Sequence, residues 1–383
     1  MTLSGFVVRN TFRNKRRSLL TLLSISFSLL LLTLMVSIWR TFYVDVGAPL
    51  SAKRVITRDR VSLSFLLPAY YRDKIRSIPG VVAVVPMTYF GNHYKDDRAS
   101  NAFAQIATDP DEYLKVASDK IVPPDQLVAW QRDRAGALVD VTLANRYGWK
   151  IGDKITLLGA IFPVNPELTI RGIYHRDPPQ NALYFNGKYL EESLDWFKGR
   201  AGWYATQVAE PRDVARVSSE IDDMFRNSPQ RTKTESEKAF QLSIVAMLGN
   251  VKAFILGICG AVVFAILLVS ANTMAMSVRS RTREVAVLKT LGFTRQRVLS
   301  LFVLEAVALA VAGGVLGIVA AVGLIGWLTH SSVAIGVPTD MKVTLPAVGL
   351  SLLAAATVGF LSGYIPAYGA SRINIVEGLR HIG

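Results

Sequence analysis

Acidic residues are scarce outside the middle of this 383-residue sequence. Residues 43–245 carry 27 Lys and Arg against 25 Asp and Glu, whereas all other positions together carry 16 against only four. Most of these remaining bases stand beside long apolar runs. This distribution matches the positive charge that flanks membrane helices on the cytoplasmic side, and not a nucleic-acid-binding surface. We therefore expect no nucleic-acid partner.

Residues that perform catalysis or bind metals are also few. The single cysteine, Cys259, lies in an apolar run, where it cannot form an intrachain disulfide and is expected to be a packed, inert thiol. The acidic residues near His93 and His175 match no known metal-binding loop. No Ser, His and Asp order and no pair of catalytic carboxylates stands out. The sequence predicts neither a metal site nor an active site.

A phosphate-binding loop is missing as well. The pattern G-x-x-x-x-G-K-[ST], which cradles the phosphates of ATP, does not occur in the sequence. We therefore expect no cofactor to be bound by this chain.

Four long apolar runs dominate what is present. Each exceeds the roughly 20 residues that cross the hydrocarbon core of a bilayer. The first is too long for a signal peptide and lacks a cleavage site. The predicted membrane helices cover residues 18–42, 251–278, 298–329 and 345–366.

The segments between these helices give the orientation. Residues 1–17 form an amphipathic segment that ends in the basic run RNKRR, which places it in the cytoplasm. Residues 330–344 are a short outer loop, and residues 367–383 are a cytoplasmic tail. Both termini are thus predicted to be cytoplasmic.

Residues 43–250 have the composition of an ordinary globular domain. They are numerous enough to bury a core, and short alternating segments are interspersed with helical ones. The predicted fold class is an integral membrane protein of four transmembrane helices, with an α+β extracytoplasmic domain inserted between the first and second helices.

Residues 279–297 form a basic segment between the second and third membrane helices. Six bases face one acid, Glu284, so the segment should be cytoplasmic. At 100° per residue, Val285, Val287, Leu288 and Leu291 fall on one side of a short helix that Gly292 would end. Glu284 lies inside this apolar arc. A carboxylate there favours a protein groove over a lipid surface as the binding partner of the helix.

Two features of the third membrane helix indicate helix packing. Gly313 and Gly317 form a small-x-x-x-small pair, although glycine is also common as filler in membrane helices. Glu305 lies about 12 Å of helix rise beyond Arg297. We favour pairing or packing over a proton relay for this carboxylate, and Arg295 and Arg297 are candidate partners if it reaches towards the cytoplasmic interface.

Several motifs resemble those of the FtsX/MacB-type permeases of ABC transporters. RTREVAVLKTLG (residues 281–292) is similar to their cytoplasmic signature, and PAYGASRINIVEGLR (residues 366–380) is similar to their C-terminal end. IPGV (residues 78–81) and DVTLANRYGWKIGDKITL (residues 140–157) resemble weaker motifs of the family's outer domain. The similarity thus touches both ends, the spans and the outer domain.

The resemblance implies a permease that works with an ATPase on each subunit. Because this chain lacks the phosphate-binding loop, a separate ATPase subunit or a lost partner domain is implied. Two copies of a separate ABC ATPase would carry ATP and Mg²⁺. A second permease copy or a paralogue, membrane lipid, and an adaptor or substrate protein in the periplasm are the other implied partners. The localisation would be the bacterial inner membrane, with the large domain in the periplasm.

The resemblance also implies where the ATPase binds. The predicted coupling residues are Arg281, Arg283, Glu284, Val285, Leu288, Lys289, Leu291 and Gly292. In this interpretation the apolar ones enter a cleft of the ATPase, and the charged ones add ion pairs. A second contact would involve Arg372, Glu377 and Arg380.

The implied function is mechanotransmission, in which ATP hydrolysis moves the periplasmic domain to export or extract a substrate. The alternative is an FtsX-like scaffold that regulates an envelope enzyme. A membrane-anchored enzyme is a weaker third hypothesis, because the sequence lacks a catalytic constellation.

Overall fold

The computed structural model describes residues 15–44, 52–91, 93–96, 101, 103–177, 179–247, 249–330 and 341–372. The chain separates into two compact units. One is formed by Asp45–Gly249, and the other by the long apolar helices on either side of it in the sequence.

The strands and helices are numbered in chain order. The strands are β1 (Arg54–Asp59), β2 (Leu67–Pro68), β3 (Val81–Tyr89), β4 (His93–Tyr94), β5 (Ala104–Thr108), β6 (Gly136–Asp140), β7 (Lys154–Leu158), β8 (Glu167–Tyr174), β9 (Ala182–Asn186), β10 (Arg200–Ala201), β11 (Trp203–Val208) and β12 (Thr232–Ser236). The helices are α1 (Lys15–Tyr43), α2 (Tyr71–Arg76), α3 (Tyr113–Val116), α4 (Pro124–Arg132), α5 (Val141–Tyr147), α6 (Gly187–Ser193), α7 (Asp213–Met224), α8 (Glu237–Met247), α9 (Val251–Arg279), α10 (Thr282–Thr290), α11 (Arg295–His330) and α12 (Leu345–Arg372).

The inserted unit is an α+β domain, as the sequence predicts. Ten strands form one sheet in the order β12-β1-β11-β3-β5-β9-β6-β8-β7-β4. The pairs β5–β9 and β6–β8 are parallel, and the other neighbours are antiparallel. β8 shows why this sequence forms strands, because its buried residues alternate with more exposed ones along its length.

Among the described residues, four helices are long and apolar enough to cross a membrane, and they confirm the predicted fold class. They are α1, α9, α11 and α12. The observed helices extend beyond several predicted bounds, because α1 and α11 each begin three residues earlier, at Lys15 and Arg295. Of the predicted termini, residues 1–14 and 373–383 lie outside the described residues, as do residues 331–340 of the outer loop.

The helix of the fourth predicted span does not stop at Pro366, because α12 continues to Arg372. Proline inside a helix removes one backbone hydrogen bond and costs about 3 kcal/mol or more. Packing compensates here. Ala367 and Ala370, beyond the proline, are buried in an apolar cluster with residues of α9 and α11 such as Met274 and Phe302.

Small and hydroxyl-bearing residues join the membrane helices. Thr33 of α1 donates a hydrogen bond to Ser351 of α12 at 3.1 Å, and Ser270 of α9 bonds to Ser362 of α12 at 2.7 Å. Such bonds stabilise helix pairs where water is absent.

The structure places Gly313 and Gly317 against α1. A Cβ on Gly317 would lie 2.4 Å from the carbonyl oxygen of Ser26, and one on Gly313 would lie 2.7 Å from Cγ2 of Ile25. Only glycine allows the two backbones to approach this closely. This geometry supports the predicted packing role of the pair.

We expect Gly317→Ala to destabilise the helical unit. The added methyl would overlap the backbone of α1, and overpacking of this kind costs about 1–3 kcal/mol. The measurement is the thermal unfolding midpoint of the full chain in detergent.

Gly323→Ala is the matched control, because a Cβ on Gly323 of the same helix meets no atom within 4 Å. That variant should unfold at the wild-type temperature or slightly above it, since alanine favours helix over glycine. Equal effects of the two substitutions would contradict the close contact between α1 and α11.

Candidate coupling site

The basic segment folds as the short helix α10 between two long helices. The predicted bounds, residues 279–297, are too wide, because Arg279 ends α9 and Arg295 begins α11. Gly292 ends the helix as predicted, with a φ of +90° that glycine adopts without strain. The N–H groups of Gly292 and Phe293 donate to the carbonyls of Lys289 and Leu288, a Schellman motif.

Val285 is predicted on the face that contacts a partner, but the structure buries most of its side chain within the chain. Val285 and Ala286 are buried against this unit's own helices. Val285 belongs to the same apolar cluster as Val278 of α9, Phe302 of α11 and Ala367 of α12. Its side chain therefore fixes α10 to the membrane helices, and only a small part of it borders the groove described below.

Arg281 is likewise turned inward. Its Nη1 lies 2.8 Å from Oε2 of Glu305, and both side chains are more than nine-tenths buried. The pairing expected for Glu305 is present, but its partner is neither Arg295 nor Arg297. Because Arg281 precedes α10 and Glu305 lies in α11, the ion pair joins the start of the short helix to the membrane helix.

Lys289 connects the other end of α10 to α12. Its Nζ donates a 2.7 Å hydrogen bond to the carbonyl oxygen of Ser371, in the last turn of α12. Lysine satisfies carbonyl groups and complements the dipole at such a helix end. Partial burial, with a smaller contribution from Arg295, lowers the pKa of Lys289. α10 is therefore attached at both ends.

Three other side chains point away from these attachments. Arg283, Val287 and Leu291 are spaced four residues apart and form what we call the outer face. Val287 is 44% exposed and Leu291 is 71% exposed. Exposed apolar side chains flanked by a base on a short helix are typical of a contact surface for another protein.

A groove of about 630 Å³ runs beside the outer face. α10 contributes Glu284 and Leu288, both half-buried, and α11 contributes Leu301 and Phe302. The predicted coupling residues thus divide into two groups. Arg283, Glu284, Leu288 and Leu291 border the surface, whereas Arg281, Val285 and Lys289 hold the helix in place. Arg281 and Val285 also line the groove.

The second predicted contact is described only in part. Arg372 is exposed at the end of α12, where its guanidinium lies 4.4 Å from the ring centroid of Tyr368. It follows Ser371, the acceptor of the Lys289 bond, so it lies near the C-terminal end of α10. Glu377 and Arg380 lie outside the described residues.

Sequence reasoning missed a second glycine pair. A Cβ on Gly359 would lie 2.9 Å from Cα of Val307, and one on Gly363 would lie 2.6 Å from Cβ of Ala306. These positions hold α12 against α11. Their four-residue spacing was the available signal, the same one that identifies Gly313 and Gly317. Within the described ranges, no group of three His, Cys, Asp or Glu could hold a metal ion.

The fold and this site define a membrane protein of four long apolar helices. The short basic helix α10 is packed against this unit, and the α+β domain follows the first long helix in the sequence. Two families match this division of the chain. Residues 18–224 match the MacB-like periplasmic core domain, and residues 250–375 match the FtsX-like permease C-terminal. The first match covers more than half of the sequence. The chain therefore belongs to the FtsX/MacB-type family of ABC transporter permeases.

Individual relatives agree with this assignment. The uncharacterized ABC transporter permease MJ1507 of Methanocaldococcus jannaschii is 29% identical over 236 residues, 60% of this chain and 58% of its own length. The macrolide export ATP-binding/permease protein MacB of Rhodopirellula baltica is 41% identical over 110 residues, 29% of this chain and 15% of its own. The matched segments thus span less than two thirds of these relatives.

A solved structure similar to this chain is the periplasmic region of MacB from Actinobacillus actinomycetemcomitans. It has 8% sequence identity and a TM-score of 0.39, with 51% of this chain and 94% of that one covered.

Proposed function

We propose that this chain is the permease subunit of an ABC transporter that converts ATP hydrolysis by a separate ATPase into movement of its α+β domain. The observation that carries the proposal is the attachment of α10. This short helix is exposed on one side and is fixed on the other side to α11 and α12. A force applied to its exposed side would therefore move the membrane helices with it.

The ATPase would bind on the outer face and the groove beside it. Val287 and Leu291 supply apolar area, Leu288 lines the groove, and Arg283 offers an exposed charge. ATP and Mg²⁺ would be held by the ATPase, in two copies for a permease dimer. Arg372 would extend the contact.

The proposed orientation follows from charge. Arg283, Arg295 and Arg297 are exposed around α10, which supports a cytoplasmic position for this helix in the inner membrane. With four spans, both termini are then cytoplasmic and the α+β domain is periplasmic. Movement would reach that domain through α1 and α9, which directly precede and follow it in the sequence.

We expect the double variant Val287→Glu/Leu291→Glu to lose its ATPase. Two carboxylates in an apolar contact would lie unpaired against the partner, and central contacts of this kind contribute about 2 kcal/mol or more each. The tagged full chain is purified from membranes of its native host. The measurement is the amount of co-purified ATPase, identified by its sequence, relative to permease.

Ile151→Glu is the matched control, because Ile151 is a similarly exposed apolar residue in the α+β domain. It should retain the ATPase, whereas the double variant should lose at least nine tenths of it. Equal retention by both variants would contradict docking on the outer face. Co-purification of an envelope enzyme without any ATPase would instead favour the FtsX-like scaffold.

A further inference from the structure

The α+β domain contains a second cavity that the proposed function does not use. It measures about 630 Å³, within the range typical of small-molecule sites. The sheet contributes Ile106 and Trp203, and α8 contributes Phe240 and Ile244. The walls are mainly apolar. The charged and amide side chains among them are few: Arg54, Lys120, Gln180, Glu237 and Gln241. Ser64 and Thr88 add aliphatic hydroxyl groups.

A buried charge cluster forms the polar end of this cavity. Asp119 lies between Arg54 and Arg176, with its Oδ1 2.7 Å from Nη1 of Arg54. Arg54 also approaches Glu237, whose Oε2 lies 2.6 Å from its Nε. With Lys120, the cluster holds three cations and two carboxylates. It therefore has an excess of one positive charge when Lys120 is protonated.

Lys120 carries this excess charge. Its side chain borders the cavity, and the residue is only 7% exposed. Its Nζ lies 5.1–5.6 Å from the ring centroids of Tyr113, Tyr174 and Tyr184. Within the described residues, it forms neither an ion pair nor a side-chain hydrogen bond. A buried ammonium that contacts aromatic faces, with carboxylates only at longer range, is incompletely compensated.

We propose that this cavity binds an amphipathic molecule with an apolar body and one anionic head group, which lies against Lys120 and Arg54. The apolar walls match the body. An anionic head would offset the excess positive charge of the cluster, whereas a cationic head would add to it. Carboxylates and phosphate monoesters share this chemistry.

The protonation of Lys120 supports this assignment. Burial lowers the pKa of Lys120 to about 7, although Asp119 opposes the shift. Arg176 and Arg54 lower it further, and Glu237 raises it slightly. An anion placed beside the amine would favour its charged form, so binding near neutral pH should take up a proton.

Binding of octanoate to the full chain in nanodiscs tests the proposal, with empty nanodiscs subtracted and no ATPase present. Saturable binding is expected at pH 6. Lys120→Met should weaken it at least tenfold, whereas Lys198→Met, at an exposed lysine of the same domain, should leave it unchanged. Ala104→Phe, which fills the cavity and retains Lys120, should also reduce binding.

Two comparisons make the test specific. The first comparison is between the affinities for octyl phosphate and octanoate. Tighter binding of octyl phosphate would show that the cavity prefers a phosphate head group to a carboxylate. Affinity for octanoate should fall up to tenfold per pH unit above 7 in the wild type, and this fall should be absent in Lys120→Met. Octylammonium binding as tightly as octanoate, or no saturable binding by either anion, would overturn the proposal. Because no ATPase is present, this failure is separate from failure of the coupling role.

Discussion

Replacing Glu305 by alanine is expected to destabilise the helical unit and to uncouple α10 from it. The substitution leaves the guanidinium of Arg281 buried without its carboxylate. Breaking one partner of a buried ion pair typically costs about 3–5 kcal/mol. The measurements are the thermal unfolding midpoint of the full chain in detergent and the ATPase rate after assembly with the ATPase subunit. Both should fall.

The control removes a charged side chain of the same unit where it is exposed. Arg283→Ala should leave the unfolding midpoint within error, because Arg283 lies on the outer face of α10. The double variant Arg281→Met/Glu305→Met should regain stability, since apolar residues of similar size often replace a buried pair without loss. An unchanged midpoint in Glu305→Ala would show that the ion pair contributes nothing to this unit.

The membrane helices and the inserted domain could be predicted because they depend on amino-acid composition and on the periodicity of apolar residues. Four apolar runs of sufficient length gave the membrane helices, and the even charge of residues 43–245 gave the inserted domain. Gly292 ended α10 where the sequence placed the stop, because a left-handed residue after a helix strongly favours glycine.

The details of the coupling site could not be predicted, because they depend on which helices meet. Val285 lies in the apolar arc of α10, but periodicity cannot say whether that arc faces its own protein or another one. Several bases lie close enough to Glu305 in the sequence to be its ion-pair partner. Only the packing of α10 against α11 shows that the partner is Arg281. Pro366 likewise signals a helix end until packing beyond it is known.

The charge cluster of the α+β domain was missed for a similar reason. Arg54, Asp119 and Arg176 come from separate parts of the sequence, and each alone is an ordinary surface-type residue. Pairing β1 with β11 and β12 brings Arg54 into the interior, where its charge must be neutralised. The hydrophobic periodicity of strands (two residues) or helices (3.6 residues) does not show which residues distant in the sequence come into contact.

We expect Asp119→Ala to have the largest effect on the α+β domain. The carboxylate is the shared partner of two buried arginines, and both side chains are only 6% exposed. Its removal leaves Arg54 with Glu237 alone and Arg176 without an acidic partner among the described residues. The expected loss is about 3–5 kcal/mol or more of unfolding free energy. Denaturant unfolding of the full chain, followed by tryptophan fluorescence, measures it.

The control is Asp195→Ala. Asp195 also pairs with a base, Lys198, but the pair lies on the surface, where ion pairs contribute little to stability. Its loss should not shift the unfolding curve measurably. Comparable curves for Asp195→Ala and Asp119→Ala would contradict the importance of the buried cluster.

The pH dependence of stability gives an independent test of the same cluster. Burial alone would raise the pKa of Asp119, but Lys120, Arg54 and Arg176 outweigh it and hold the pKa well below its usual range. A carboxylate whose pKa is lower in the folded than in the unfolded chain stabilises the fold. This stabilisation is complete above the pKa of the unfolded chain, near 4, and is lost as pH falls through the pKa of the folded chain. Between pH 7 and 5 the contribution of Asp119 should therefore stay constant. Below pH 4 the wild type should lose stability faster than Asp119→Asn, because only the wild type still has this carboxylate to protonate.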